Sequence, residues 1–218
     1  MKSPTEKRTI NIPAGEATIN GNLNIPPKAR GIVLFAHGSG SGRFSPRNTY
    51  VASQINAAGI ATLLIDLLTE EEEARDEYTG EYRFDIELLA KRLIFATDWL
   101  TTNPDTKNLA VCYFGASTGA AAALIAAARL PERVKAIVSR GGRPDLAGEY
   151  LAKVRAPTIL IVGGDDVEVL ELNKQAMQQM SSEKKLTVVP GATHLFEEPG
   201  KLEAVARLAI DWFLKHLS

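Results

Sequence analysis

A Gly-Ala-Ser-Thr-Gly stretch at residues 115–119 has the residue types and spacing expected around a nucleophilic serine. It follows an apolar run, 108–114, and precedes an alanine-rich stretch of helical character, 118–130. A G-x-S-x-G sequence on a strand-to-helix turn holds its serine on a tight bend where neighbouring side chains would clash, so glycines flank it. Ser117 is therefore the candidate nucleophile. The alternative is a phosphate-binding glycine turn or an ordinary tight connection.

A serine hydroxyl needs a base to take its proton, and the base needs an acid to orient it. The chain has three histidines. His194 lies in a loop between the last predicted strand and the last helix, which suits a base at the C-terminal edge of a sheet. His216 is predicted to be solvated on the C-terminal helix. His37 directly follows an early strand and is predicted to brace its own loop.

Two adjacent aspartates are candidates for the orienting acid. Asp165 and Asp166 follow the apolar run 158–163, between the serine and the histidine. The order Ser117, aspartate, His194 is that of α/β-hydrolases and differs from the orders of the other common serine-triad folds. Asp166 could also cap the helix that follows, so spacing alone leaves the choice between the two open.

An acyl-transfer site also needs hydrogen-bond donors for the oxyanion that develops in the transition state. The residue after the nucleophile supplies one backbone N–H, that of Thr118. The second is assigned to the N–H of Ser39, because the His-Gly-Ser-Gly sequence at 37–40 follows a predicted strand and offers small residues.

The elements that would position these groups alternate between strand and helix. An N-terminal stretch, 9–26, alternates polar and apolar residues around Ala-Gly and predicts an edge β-hairpin. The later apolar runs lack alternation, as expected for parallel strands covered on both faces. They are 31–36, 60–66, 108–114, 134–139, 158–163 and 186–189. Helices are predicted at 45–58, 84–100, 118–130, 166–180 and 201–217. This pattern predicts one α/β domain over residues 1–218, with a mostly parallel, doubly wound sheet.

Composition excludes several classes of function. The formal net charge is −1 over 218 residues, and no basic stripe is present, so nucleic acid and anionic membranes are not expected partners. The single cysteine, Cys112, allows no disulfide framework and falls within a predicted buried strand. No signal-like or membrane-spanning stretch is visible, which favours a cytoplasmic protein. A monomer or a small homo-oligomer is expected.

One acidic and aromatic stretch, residues 69–84, does not fit the regular pattern. It is predicted to be a solvated loop or a short helix. The alternative is a partial flap beside the active site.

The chain resembles the dienelactone hydrolase-like group of α/β-hydrolases over most of its length. The resemblance is carried by AHGSGSGRFSPRN, FGASTGAAAAL, SRGGRPDL, LIVGGDDVEVLELN and VPGATHLFEEPG. It implies an α/β-hydrolase fold with Ser117 as nucleophile and His194 as base. The group's acid lies in a G-x-x-D-x-x-V pattern, which here begins at Gly163 and implies Asp166. Dienelactone hydrolases proper use cysteine where this chain has serine, which favours a serine esterase.

The link from Ser139 to Pro157 is too short for a large cap domain, so the site is expected to be open. Four residues on loops near the catalytic edge are candidate substrate contacts, namely Arg43, Phe44, Arg140 and Phe196. Guanidinium groups there, including those of Arg47 and Arg143, could bind a carboxylate or phosphate. Pairing of these arginines with acids of the 70–77 stretch is the alternative, and Phe196 could equally belong to the core.

These features predict a hydrolase that cleaves small esters or lactones through an acyl-enzyme, with no metal or organic cofactor. Three alternatives remain at this point. One is a non-catalytic hydrolase-fold protein that binds a small ligand or a partner. The second is acyl transfer or C–C bond hydrolysis on the same triad. The third is an engineered scaffold that retains these residues.

Overall fold

The computed structural model describes residues 6–217, which form one eight-stranded sheet with helices on both faces. The strands are β1 (Glu6–Ala14), β2 (Ala17–Ile25), β3 (Gly31–Ala36), β4 (Ala61–Ile65), β5 (Ala110–Ala116), β6 (Val134–Arg140), β7 (Thr158–Gly163) and β8 (Lys184–Val189). Their order across the sheet is β1-β2-β4-β3-β5-β6-β7-β8.

Strands β3 to β8 run parallel, whereas β1 and β2 form an antiparallel hairpin that joins the sheet alongside β4. The hairpin turns at Gly15, whose φ of +75° is unfavourable for other residues. The prediction of a mostly parallel sheet with an antiparallel edge hairpin is confirmed.

The helices are α1 (Pro46–Ala57), α2 (Glu70–Thr79), α3 (Ile86–Thr102), α4 (Thr118–Arg129), α5 (Val167–Gln179) and α6 (Lys201–Leu217). Successive residues of β3 enter different hydrophobic clusters. Ile32 and Leu34 pack on the face covered by α3 and α4, and Val33 and Phe35 pack on the face covered by α1 and α6. Burial on both faces explains why the central strands read as unbroken apolar runs.

Two segments form helices in addition to the five predicted above, and the first, within 69–84, is the short helix that the sequence allowed. Residues 70–79 form a regular helix, whose start is fixed by a reciprocal capping box between Thr69 and Glu72. The link after β6 contains a 3-10 segment, Pro144–Lys153, kinked at Gly148, which sequence patterns did not indicate. No separate cap domain occurs within residues 6–217. None of the helices in that range has the length and apolar character needed to span a membrane.

Candidate active site

Ser117 occupies a strained turn between β5 and α4. Its φ of +50° and ψ of −123° place it among three non-glycine residues with positive φ in the described part of the chain. Such backbone costs about 1–3 kcal/mol and persists only where surrounding contacts enforce it. Here the Ser117 N–H donates to the Arg140 carbonyl at 3.3 Å, and its carbonyl accepts from the Arg143 N–H at 3.1 Å. The loop after β6 therefore holds the serine backbone on both sides.

The glycines around the serine are required by close approach. A Cβ on Gly119 would lie 2.3 Å from the Ala36 carbonyl oxygen and 2.4 Å from that of His37. A Cβ on Gly115 would lie 2.4 Å from the Ala120 Cα. Helix α4 can therefore begin against the end of β3 only because both positions lack a side chain.

Gly119→Ala is expected to lower the free energy of unfolding by about 3 kcal/mol, because its Cβ would overlap backbone atoms that cannot move independently. Gly40→Ala is the matched control. Gly40 also lies in the catalytic-edge loops and has a φ of +67°, but a Cβ there meets no atom within 4 Å. Its cost should be about 1 kcal/mol of backbone strain. Urea unfolding of both variants measures the difference, and equal losses would contradict the packing explanation.

His194 and Asp166 are hydrogen-bonded. The imidazole Nδ1 lies 2.7 Å from Asp166 Oδ2, and because a carboxylate only accepts, Nδ1 carries the proton. Nε2 is then the basic nitrogen. Asp166 occupies the N-cap position of α5 but makes no side-chain capping bond, so its carboxylate serves the histidine alone. Asp165 is exposed, and its backbone N–H donates to Ala192. Of the two aspartates left open by spacing, Asp166 is the one beside the imidazole.

A glycine after β3 lies against the serine, and a glycine after β6 lies against the histidine. A Cβ on Gly38 would lie 3.0 Å from the Ser117 Cβ, and a Cβ on Gly141 would lie 3.6 Å from the His194 Cε1. Gly141 directly follows Arg140, whose carbonyl accepts the Ser117 N–H. Ser117 and His194 therefore flank the C-terminal end of β6, although the serine hydroxyl and the imidazole are not hydrogen-bonded in this structure. Catalytic hydrogen bonds often tighten only when substrate is present.

The loop after β3 contacts the start of α4 through Ser39. Its N–H donates to the Thr118 hydroxyl at 3.1 Å, and its own hydroxyl lies 3.0 Å from the same oxygen. The Thr118 hydroxyl thus already accepts from the Ser39 N–H that was assigned to the oxyanion. The sequence did not indicate this interaction. An oxyanion at this position would have to displace or share that hydroxyl.

Ser39→Pro is expected to lower kcat by about 10²–10³, because proline removes the N–H assigned to the oxyanion. Ser39→Ala keeps the N–H and loses only the hydroxyl, so it should retain most of the activity. Steady-state ester hydrolysis compares the two, with thermal unfolding as a check on folding. Equal kcat values for two folded variants would exclude Ser39 as a donor.

The His37 ring fixes the same loop through two hydrogen bonds. Its Nε2 accepts from the Leu67 N–H at 2.9 Å, so Nδ1 carries the proton and donates to the Gly38 carbonyl at 2.9 Å. Burial lowers the pKa of His37, which keeps the ring neutral. The ring braces the loop, in agreement with the sequence interpretation.

A cavity of about 160 Å³ lies between this loop and the 69–84 segment. Its wall includes Asp76, which is buried and accepts hydrogen bonds from the Tyr82 N–H, the Arg83 N–H and the Arg83 guanidinium. Burial would raise the pKa of Asp76, but these hydrogen bonds outweigh it and hold the pKa below its usual value. The Arg83 carbonyl accepts the Ser39 hydroxyl at 3.3 Å. The segment is thus a capped helix and turn that forms one wall of this cavity.

The candidate substrate contacts have different surroundings. Arg43 is bound to Asp66, through both its guanidinium and its N–H, and not to the 70–77 stretch. Its guanidinium stacks on Phe44, whose ring is 66% exposed and remains open to a ligand. Phe196 is 1% exposed and packs in the core beneath α6, so the expectation that it contacts substrate is corrected.

Two of the three remaining arginines of this edge are paired with carboxylates. Arg143 binds both carboxylate oxygens of Asp145, at 2.9 and 2.7 Å. Arg47 binds Glu197 at 2.7 Å. Arg140 is buried and donates to the side-chain oxygen of Asn48 at 3.2 Å.

Cys112 is remote from this chemistry. It lies within β5 and is fully buried, and burial raises the pKa of its thiol to about 12. A thiol that stays protonated at neutral pH is a poor nucleophile.

Comparisons with known proteins find relatives along nearly the whole of this chain. A putative phosphoribosyl transferase of Mycobacterium tuberculosis is 59% identical over 214 residues, which cover 98% of this chain and 47% of that protein. The chain thus spans about half the length of the curated relatives it matches first. A dienelactone hydrolase structure from Anabaena variabilis has a TM-score of 0.97 at 59% identity, covering 98% of this chain and 99% of that one.

More distant structures share the fold. Est1E from Butyrivibrio proteoclasticus has a TM-score of 0.80 at 16% identity, covering 96% of this chain and 98% of its own. The sequence model of the dienelactone hydrolase family matches residues 19–216. This range contains the strained serine and the histidine–aspartate pair. By this match and by the near-complete overlap with the Anabaena structure, the chain belongs to the dienelactone hydrolase family.

Proposed function

We propose that this protein is a serine hydrolase that cleaves small carboxylic esters or lactones through an acyl-enzyme. The observation that carries the proposal is the 2.7 Å contact between His194 Nδ1 and Asp166, at the same sheet edge as a serine held at positive φ. A strained serine beside an oriented imidazole has no structural benefit that would offset its cost. It has a chemical one, because the pair can activate the hydroxyl.

In the proposed mechanism the Ser117 Oγ attacks the ester carbonyl while His194 Nε2 takes its proton. Asp166 stabilises the resulting imidazolium through Nδ1 and fixes its tautomer. The tetrahedral oxyanion accepts from the N–H groups of Thr118 and Ser39. The imidazolium then protonates the leaving alcohol, and the C–O bond breaks to give the acyl-enzyme. Water, deprotonated by the same nitrogen, then attacks the acyl carbon. The bond between that carbon and Ser117 Oγ breaks, Oγ takes the proton back from the imidazolium, and the acid is released.

The surroundings of the serine favour a small or extended substrate. Phe44 is the exposed apolar side chain of the loop between β3 and α1, and the cavity beside Ser39 has a volume of about 160 Å³. We propose that this cavity, which is lined by Gly38 and Ser39 next to the serine, receives a short acyl or alcohol group and excludes a bulky one. The Anabaena relative's description as a dienelactone hydrolase supports lactones as members of the substrate class.

The name of the M. tuberculosis relative does not alter this proposal. It belongs to a protein of which this chain covers 47%, so it does not assign phosphoribosyl transfer to Ser117 and its neighbours.

A panel of 4-nitrophenyl acetate, butyrate and decanoate, together with γ-butyrolactone and dihydrocoumarin, tests the proposal. Stopped-flow kinetics on the 4-nitrophenyl esters should show a burst of one equivalent of nitrophenol if deacylation limits the rate. Short chains should give higher kcat/KM than decanoate. Adding methanol or hydroxylamine separates hydrolysis from acyl transfer to other acceptors. Folded protein that turns over none of these compounds would favour the non-catalytic binding alternative.

A further inference from the structure

Asn173 is a buried amide that links helix α5 to the loop after β6. Its side chain is fully buried, and its NH₂ group donates to the Gly142 carbonyl at 2.9 Å and to the Val169 carbonyl at 2.7 Å. Because both partners are carbonyl oxygens, which only accept, the amide nitrogen must face them. The bond to Val169 stays within the helix, whereas the bond to Gly142 spans 31 positions of sequence. Asn173 therefore joins two elements that the chain does not connect directly.

The loop that Asn173 bonds to contacts the backbone of the nucleophile on both sides. The carbonyl of Arg140, at the end of β6, accepts the Ser117 N–H, and the Arg143 N–H donates to the Ser117 carbonyl. Gly142, the acceptor of Asn173, lies between these two arginines. The positive φ of Ser117 persists only while surrounding contacts enforce it. The bond from Asn173 therefore fixes the segment that enforces the strained serine conformation.

The same loop also contacts the histidine. A Cβ on Gly141 would lie 3.0 Å from the His194 carbonyl oxygen and 3.6 Å from His194 Cε1. On the other side of the loop, a Cβ on Gly142 would lie 2.7 Å from the Cβ of Ala120 in the first turn of α4. The loop is thus packed between the imidazole and α4, so a shift of the loop would displace the serine and the histidine relative to each other.

The acid lies on the helix that carries Asn173. Asp166 occupies the N-cap position of α5 and bonds to His194 Nδ1 at 2.7 Å. Asn173 follows it by about two helical turns, which places both side chains on one face of the helix. Among the described residues, the bond from Asn173 to Gly142 is the one hydrogen bond between α5 and the loop 140–143. One helix therefore bonds to the histidine at its start and to the loop of the nucleophile farther along.

We propose that Asn173 is a positioning residue that fixes Ser117 relative to the His194–Asp166 pair. The role rests on the proposed hydrolase function. The hydrogen bonds of Asn173 reach none of the reacting atoms, and it acts through the Gly142 carbonyl. Without that bond the His194–Asp166 contact remains, but the serine and the imidazole lose their fixed relative position.

Two substitutions remove the bond to the loop in different ways. In Asn173→Ser the hydroxyl can still bond to the Val169 carbonyl one turn back, but it is too short to reach Gly142. Asn173→Leu keeps the approximate volume of the side chain and removes both donors. In both variants the kcat for 4-nitrophenyl butyrate and the rate of inactivation by a fluorophosphonate are expected to fall between about tenfold and 10²-fold, as for a displacement of about 1 Å between reacting groups. KM should change little, because neither variant alters a residue that lines the cavity beside Ser39.

Thr106→Val is the matched control. Thr106 is buried, donates its hydroxyl to the Leu100 carbonyl at 2.7 Å, and precedes β5 at the edge of the sheet opposite to Ser117. The change also removes a buried side-chain donor without altering the volume, so a fall in Tm similar to that of the Asn173 variants is expected, with kcat unchanged. If the Asn173 variants lower Tm but keep the kcat of the control, at a temperature where all are folded, Asn173 has a structural role only and the proposal is overturned.

Proton NMR separates a loss of position from a loss of the acid. The imidazole Nδ1–H bonded to Asp166 gives a downfield signal, which is assigned in the unmodified protein by its absence from His194→Ala. That signal should persist in both Asn173 variants. Its disappearance from them would mean that the histidine–aspartate pair itself is broken, which would contradict the proposed role. An unmodified protein that hydrolyses no ester and acquires no fluorophosphonate adduct would instead overturn the hydrolase function, and the role of Asn173 with it.

Discussion

Ser117→Ala is expected to lower kcat for ester hydrolysis by about 10⁴- to 10⁶-fold, since the nucleophile and its base act as a unit and the loss of either removes their joint effect. The substitution removes one oxygen that makes no hydrogen bond in the described structure, so the fold should be retained. Steady-state hydrolysis of 4-nitrophenyl butyrate gives the rate, and circular dichroism checks the fold.

Ser139→Ala is the matched control for that loss. Ser139 pairs with Gly115 at the end of β6, is fully buried, and has a hydroxyl without a hydrogen-bond partner. Its removal deletes the same atom from the neighbouring strand and should leave kcat unchanged. Similar rates for the two variants would mean that Ser117 is not the nucleophile.

Asp166→Asn is expected to lower kcat by about 10⁴-fold at neutral pH, because an amide that donates to Nδ1 would favour the tautomer whose Nε2 already carries a proton. That nitrogen could no longer accept the serine proton. The size of the substituted side chain is unchanged, so the effect should fall on kcat and not on Tm. A pH–rate profile should recover part of the activity at high pH, where hydroxide competes with the missing base.

The adjacent aspartate provides the control. Asp165→Asn removes the same charge one residue away, from an exposed side chain that is not the one bonded to the imidazole. Its kcat should stay close to that of the unmodified protein. The reverse result, with Asp165→Asn the more damaging change, would contradict the pairing of His194 with Asp166.

The backbone features of the site could be predicted because each has a local cause. Gly115 and Gly119 are dictated by contact distances near 2.4 Å, and those distances follow from any tight strand-to-helix turn. Apolar runs without alternation indicated buried parallel strands for the same kind of reason, since both faces of the sheet are covered. The T-x-x-E sequence of the Thr69–Glu72 capping box is a local signal for the start of α2 that the prediction of a loop or short helix over 69–84 left unused.

Side-chain partners across loops could not be predicted, because they depend on the three-dimensional path of the chain. Arg43 forms a salt bridge with Asp66, which directly follows β4. Asp76 of α2 forms one with Arg83, which follows the turn after that helix. The choice of Asp166 over Asp165 depends on which carboxylate faces the loop of His194, a matter of orientation that spacing does not fix. The burial of Arg140 has no sequence signal, since a charged residue at a strand end usually reaches solvent.

Intact-mass analysis after treatment with a fluorophosphonate tests the activated serine most directly. A single adduct is predicted on the unmodified protein, none on Ser117→Ala, and strongly slowed labelling on His194→Ala. Peptide mapping should place the adduct on Ser117. Folded protein that acquires no adduct, or an adduct that persists in Ser117→Ala, would contradict a serine hydrolase with Ser117 as its nucleophile.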